Sequence, residues 1–71
     1  MTHTPETLLR RPEVARRTGL SPNRIDELEH VGRFPRRVRI SDRAVGWVAS
    51  EISAWIADRI AARDQQQSRP A

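Results

Sequence analysis

The chain has 71 residues, and its composition excludes several classes of protein. This length supports one small domain with a modest core, too little to enclose a roomy catalytic pocket, so we expect no enzyme. There is no cysteine, and the two histidines lie far apart in sequence, so neither a metal site nor a cofactor is expected. No apolar run approaches the roughly 18 residues needed to cross a bilayer, and the start of the chain lacks the apolar core of a signal peptide. We therefore expect a cytoplasmic protein with no membrane partner.

The basic residues are all arginines and are unevenly distributed. Thirteen arginines oppose nine acids, which gives a net charge of +4. Five of them lie in residues 33–43, where Asp42 is the single acid. Such a segment is typical of a surface that binds a polyanion, but it is also found on ordinary solvated surfaces. Its position in the fold must decide between the two.

The two ends of the chain differ from its middle. Residues 1–7 and 64–71 are polar, contain proline and show no hydrophobic periodicity. We predict that they form a flexible N-terminal arm and a flexible polar tail. The domain itself is predicted to occupy residues 8–63.

Two short helices are predicted at the start of this domain. Pro12 suits the first turn of a helix over residues 12–18, and Gly19 can take the left-handed conformation that ends it. Ser21 and Pro22 form an N-cap and first-turn pair for a second helix, which should stop by Gly32. Two short helices joined by a glycine-containing turn form the helix-turn-helix pattern.

A two-stranded hairpin and a longer helix should follow. Residues 37–40 alternate polar and apolar, and residues 45–47 continue the pattern beyond a polar connection at residues 41–44. The apolar residues predicted to anchor this hairpin to the helices are Val38, Ile40, Val45 and Trp47. A helix over residues 49–63 then presents an apolar stripe made by Val48, Ile52, Trp55, Ile56 and Ile60. We interpret both tryptophans as core residues rather than base-stacking groups.

Residues 8–63 resemble the AlpA and excisionase branch of the MerR-like winged helix-turn-helix proteins, which are small phage and prophage regulators. The most specific segments are EVARRTGLS, GRFPRRVRI and RAVGWVASEISAWIADR. The resemblance implies a mainly α fold with a helix-turn-helix, a two-stranded β wing and a C-terminal helix. It also implies sequence-specific binding of double-stranded DNA, with the second helix in the major groove and the wing along an adjacent minor groove. This binding would either control transcription or help a recombinase to excise an integrated element. Side-by-side binding of neighbouring copies on repeated DNA sites stays open.

The second helix departs from the pattern of this branch. Its members usually show an aromatic and a basic residue near the middle of the helix, where this chain has Asp26, Glu27 and Glu29. For acids on such a helix, solvent exposure or pairing with nearby arginines is the commoner role. An alternative function therefore stays open, in which the acidic face of this helix binds a basic protein partner.

Helix direction and side-chain chemistry predict which residues contact DNA. The first turn of the second helix leads into the groove, and its backbone N–H groups favour phosphate oxygens. Arg24 is the main predicted base reader because a guanidinium binds guanine O6 and N7 together, while Asn23 suits adenine or a phosphate and Glu27 can accept a hydrogen bond from cytosine N4. Ser21 is predicted to cap the helix and to contact the DNA backbone, with capping alone as the alternative. The whole predicted set is Arg16, Arg17, Ser21, Pro22, Asn23, Arg24, Glu27, Arg33, Arg36, Arg37, Arg39 and Arg43.

The remaining arginines of this set are expected to contact the DNA backbone. Those outside the hairpin should meet phosphates: Arg16, Arg17, Arg33 and Arg36. Those on the predicted wing should provide much of the affinity: Arg37, Arg39 and Arg43. Arg43, at the tip of the wing, is the best candidate for insertion into a narrow minor groove.

Overall fold

The computed structural model describes residues 6–67, which form three helices and three short strands. In chain order these are β1 (Leu8–Leu9), α1 (Arg11–Thr18), α2 (Pro22–His30), β2 (Val38–Ser41), β3 (Ala44–Val48) and α3 (Ala49–Gln67). The predicted order of a helix-turn-helix, a two-stranded wing and a C-terminal helix is confirmed. The fold is a mainly α winged helix-turn-helix with a small antiparallel sheet.

The turn between α1 and α2 forms as its sequence predicts. Gly19 has a φ of +76°, and its N–H donates to the carbonyl of Ala15 at 2.8 Å, which closes α1. The Ser21 hydroxyl accepts a hydrogen bond from the Arg24 N–H at 3.1 Å, and Pro22 begins α2. Local capping chemistry therefore fixes where the second helix starts and which residues occupy its first turn.

The sheet contains a strand that the sequence did not predict. Its order is β1-β3-β2, with Leu8 opposite Val48 and Leu9 opposite Trp47, so β3 is the central strand. The backbone N–H of Ala49 also donates to the Thr7 carbonyl at 2.8 Å. The segment before α1 thus holds the base of the wing where β3 passes into α3.

A compact core lies between the sheet and the three helices. Its buried members are Leu9, Val14, Ile25, Phe34, Trp47 and Ile52. The prediction that Trp47 is core is confirmed, because none of the residue is exposed. Trp55 is half-buried against this core, with its ring 5.0 Å from that of Phe34 in an edge-to-face arrangement and its Nε1 donating to the Arg33 carbonyl at 2.9 Å.

The prediction that Val38 and Ile40 anchor the wing to the helices is wrong. They are 37% and 43% exposed, so neither is buried in the core. Ile40 instead lies over Gly46, where its Cδ1 stands 2.8 Å from the position that a Cβ would occupy. Contact with the helices comes from β3, through Val45 and the buried Trp47.

Two further apolar residues of the helical segments are exposed. Val31 follows the last turn of α2 and is 63% exposed. Ile60 lies in the half of α3 that extends beyond the core and is 47% exposed. The apolar stripe of α3 therefore contributes to the core mainly through its first two turns.

Helix α3 continues to Gln67 and so enters the segment predicted to be a flexible tail. The rest of that tail, residues 68–71, and most of the predicted N-terminal arm, residues 1–5, lie outside the described residues. The boundaries of the domain at residues 8 and 63 remain predictions. Within residues 6–67, no helix combines the length and the apolar character required to span a membrane.

Candidate nucleic-acid interface

The first turn of α2 is exposed. Ser21, Pro22, Asn23 and Arg24 are all open to solvent, and the helix dipole adds partial positive charge at this end. The Arg24 Nη1 lies 3.2 Å from the Glu27 Oε1, with the two side chains 58% and 64% exposed. An ion pair this exposed contributes at most about 1 kcal/mol, so a better partner can displace it.

Arg16 and Arg17 project from the last turn of α1 and share one acid. The Arg16 Nε donates to the Glu13 Oε1 at 3.0 Å, and the Arg17 Nε donates to the Glu13 Oε2 at 2.8 Å. The Arg16 side chain remains 74% exposed. Hydrogen bonds from the two arginines, that from Arg16 the larger effect, lower the pKa of Glu13 to about 2. Glu13 therefore holds both guanidinium groups on one side of α1.

The wing presents two unpaired cations. Arg39 and Arg43 are exposed, and neither guanidinium forms an ion pair or a hydrogen bond with another group in residues 6–67. Arg43 lies in the turn between β2 and β3, where its backbone N–H donates a hydrogen bond to the Ser41 hydroxyl at 3.4 Å. Arg33 and Arg36, in the segment between α2 and β2, are likewise exposed. These four side chains are available to bind an anion.

Arg37 is held differently from its neighbours on the wing. Its Nη2 lies 2.7 Å from the Asp26 Oδ1 and 2.8 Å from the Glu29 Oε1, and both acids belong to α2. Its backbone N–H also donates to the Glu29 Oε2 at 3.0 Å. The Arg37 guanidinium therefore connects the residue that directly precedes β2 to the helix α2, and its hydrogen bonds are directed into the protein.

Arg11, at the start of α1, completes this arrangement. Its Nη1 donates to the Asp26 Oδ1 at 2.6 Å, the oxygen that also accepts from Arg37. The guanidinium carbons of Arg11 and Arg37 lie 5.4 and 5.2 Å from the centre of the Trp47 ring, within the range of a cation–π interaction. We call Arg11, Asp26, Glu29 and Arg37 the interelement network.

The network keeps its two acids ionised. Hydrogen bonding from Arg11, helped by Arg37, lowers the pKa of Asp26 in spite of partial desolvation. Burial acts to raise the pKa of Glu29, whose side chain is only 14% exposed, but side-chain and backbone hydrogen bonds from Arg37 outweigh it, and its pKa is lowered. The charges of Asp26 and Glu29 are thus compensated within the molecule.

Sequence reasoning did not find Arg11 or the particular partners of the acids. Arg11 and Asp26 are fifteen positions apart, and Arg37 and Glu29 are eight apart, so no local spacing indicates either contact. An available signal was the excess of acids on a helix next to two arginine-rich segments. No group of three or more potential metal ligands occurs in residues 6–67.

These features define the class of the protein: a small winged helix-turn-helix domain with an exposed first turn on its second helix and an arginine-bearing wing. The chain belongs to the family described as "Prophage CP4-57 regulatory protein (AlpA)", whose model matches residues 7–60. It is also 47% identical over 60 residues to "Uncharacterized protein ORF88" of Enterobacteria phage P4, a match that covers 84% of this chain and 68% of that protein. The resemblance to AlpA-type phage regulators inferred from the sequence is confirmed, and the chain is a phage-type regulatory protein.

Proposed function

We propose that this protein binds double-stranded DNA in a sequence-specific manner as a phage or prophage regulator. Helix α2 enters the major groove with its first turn leading, and the wing follows the backbone toward the adjacent minor groove. The same binding would serve transcriptional control or the excision of an integrated element with a recombinase. No catalytic step is part of this function.

The observation that supports the proposal most is the placement of exposed cations on the first turn of α2 and on the wing. The first turn of α2 ends with Arg24, and the wing offers Arg39 and Arg43 with no carboxylate partner in the described chain. The interelement network joins these two elements through Arg37. An exposed helix N-terminus and an arginine-bearing hairpin in one small domain match the two kinds of contact that DNA requires, to base edges and to phosphates.

The acids of α2 do not oppose this function. Asp26 and Glu29 are neutralised by Arg11 and Arg37, so the face that carries them presents little net negative charge to DNA. Glu27 is the remaining acid and pairs weakly with Arg24. A bidentate contact from Arg24 to guanine is worth about 1–3 kcal/mol of discrimination. The exposed ion pair between Arg24 and Glu27 contributes at most about 1 kcal/mol, so a contact from Arg24 to guanine can replace it.

Selection of bound sequences from a random DNA pool tests the proposal directly. We expect enrichment of a short motif, and the spacing of repeated motifs will report whether neighbouring copies bind side by side. Failure to enrich any motif, together with binding that is equal on all duplexes, would contradict the proposal of sequence-specific binding.

The role of Arg24 is tested on the selected motif. Arg24→Ala should weaken binding to that motif by about 1–3 kcal/mol more than it weakens binding to unrelated DNA. Arg63→Ala is a matched control, because it removes one positive charge at the distal end of α3, where Arg63 pairs with Asp64. Equal losses on both DNAs for Arg24→Ala would show that Arg24 contacts only phosphate.

A further inference from the structure

The interelement network joins all the parts of the fold that would meet DNA. Arg11 belongs to α1, Asp26 and Glu29 to α2, and Arg37 directly precedes β2. The two guanidinium groups also lie against the ring of Trp47, which is fully buried in β3. No other set of ion pairs in residues 6–67 spans more than one element, since the pairs of Glu13 lie within α1, that of Glu27 within α2, and that of Asp64 within α3.

The geometry of the network restricts the orientation of the wing. Arg37 makes contacts to two carboxylates from a planar group, while its backbone N–H is fixed to one of them. A planar guanidinium holds such a pair of partners in one orientation, unlike the point charge of a lysine. Val38 and Ile40 are exposed and do not anchor β2 to the helices. The network is therefore the principal polar link between α2 and the strand that bears Arg39.

We propose that Asp26, Glu29 and Arg37 are positioning residues for DNA binding: they fix the angle between α2 and the wing so that Arg39 and Arg43 reach phosphates while α2 occupies the groove. Arg37 acts through this link and is not itself a phosphate contact. The inference rests on the proposed function. It also explains why the recognition helix of a DNA-binding protein carries two acids in its middle.

The first experiment measures the angle without DNA. Because the chain contains no cysteine, spin labels can be attached at Asn23→Cys in α2 and Asp42→Cys at the tip of the wing, and their distance distribution measured. We expect a narrow distribution in the otherwise unchanged protein and a clearly broader or shifted one when Asp26→Asn and Glu29→Gln are combined. Ile52→Val is the control, since it loosens the buried core while leaving the network in place.

The second experiment measures binding. Arg37→Lys keeps a positive charge but loses the planar fork, so a phosphate contact would survive the change and a positioning role would not. We expect Arg37→Lys to reduce the slope of log affinity against log salt by about 0.9 for each wing arginine that no longer reaches a phosphate. Protection of the backbone by the wing in a hydroxyl-radical footprint should weaken in parallel, while protection by α2 persists.

The outcomes separate this inference from the proposed function. A distance distribution in the Asp26→Asn, Glu29→Gln variant as narrow as in the parent, at the same mean, would overturn the inference, and so would an unchanged salt slope and footprint for Arg37→Lys. A parent protein that binds no DNA would refute the proposed function and with it the role in DNA binding, while the distance measurement would still report separately whether the network fixes the wing. A salt slope reduced equally in Ile52→Val would attribute the effect to lost stability and would also overturn the inference.

Discussion

Replacement of both free wing arginines should change the salt dependence of DNA binding by a defined amount. Arg39 and Arg43 are exposed and have no carboxylate partner in residues 6–67, whereas Arg37 is occupied by α2. Under the proposed function, these two arginines are the phosphate contacts expected from the wing. With about 0.9 per contact, the slope of log affinity against log salt should fall by about 1.8 in the Arg39→Ala, Arg43→Ala variant. Raising the salt fourfold would then weaken the parent about 12-fold more than this variant.

Gel-shift or fluorescence-anisotropy titrations from about 50 to 200 mM salt are sufficient to measure this difference. The control is Arg63→Ala, which removes a positive charge from α3, where Arg63 pairs with Asp64. Lysine at positions 39 and 43 should keep most of the slope, because a phosphate contact needs a cation rather than a guanidinium. An unchanged slope in the alanine variant, or an equal decrease in the α3 control, would refute the placement of the wing on the DNA backbone.

Three further predictions concern stability. Trp47→Ala should remove about 3–5 kcal/mol of stability, which is a large part of the about 4–10 kcal/mol available to a domain of this size; a strongly lowered or absent thermal transition in circular dichroism checks this. Gly46→Ala should lower the free energy of unfolding by about 1–3 kcal/mol in urea titrations, since its Cβ would stand 2.8 Å from the Ile40 Cδ1 and 3.1 Å from a backbone oxygen. Stability should also fall with pH below the ordinary range of glutamate, because the pKa of Glu13 is about 2 and those of Asp26 and Glu29 are lowered in the folded state.

Each of these has a result that would contradict it. A cooperative unfolding transition near that of the parent for Trp47→Ala would show that the ring is not essential to the core. An unchanged stability for Gly46→Ala would mean that the Ile40 side chain moves aside at no cost. The acids stabilise the fold above their unfolded-state pKa, and this contribution is lost as pH falls through the folded-state values. Equal stability at pH 5 and at pH 2 would therefore contradict the third prediction.

The helix-turn-helix was predictable because its signals are local. Gly19 ends α1 because glycine readily adopts a positive φ. Ser21 and Pro22 begin α2, and the hydrogen bond that caps the helix joins residues only three positions apart. The hairpin was equally predictable, because apolar and polar residues alternate on either side of a polar connection. Each of these signals acts between residues that are close in sequence, where composition and spacing carry nearly all the information.

The parts that could not be predicted depend on contacts between distant residues. Leu8 and Leu9 form a strand only because β3 offers them a partner, and two apolar residues in isolation predict no strand. The contacts between Asp26 and Arg37 depend on the orientation of β2 relative to α2, and no local sequence pattern determines that orientation. Arg37 was therefore assigned to DNA together with Arg39 and Arg43, although its hydrogen bonds are directed to α2. The DNA contacts themselves stay predictions.

The position of β1 also has a consequence for folding. Because β1 pairs with β3, all of α1, α2 and β2 lie within the loop of chain that this pairing closes. The entropic cost of closing a long loop must be met before the sheet forms, so early folding depends on the helices as well as on the strands. We expect one cooperative transition in which neither half is stable alone. A peptide containing only α1 and α2 would therefore be a poor substitute for the domain, and transfer of the proposed DNA-binding activity to another protein would require the segment that begins before Leu8.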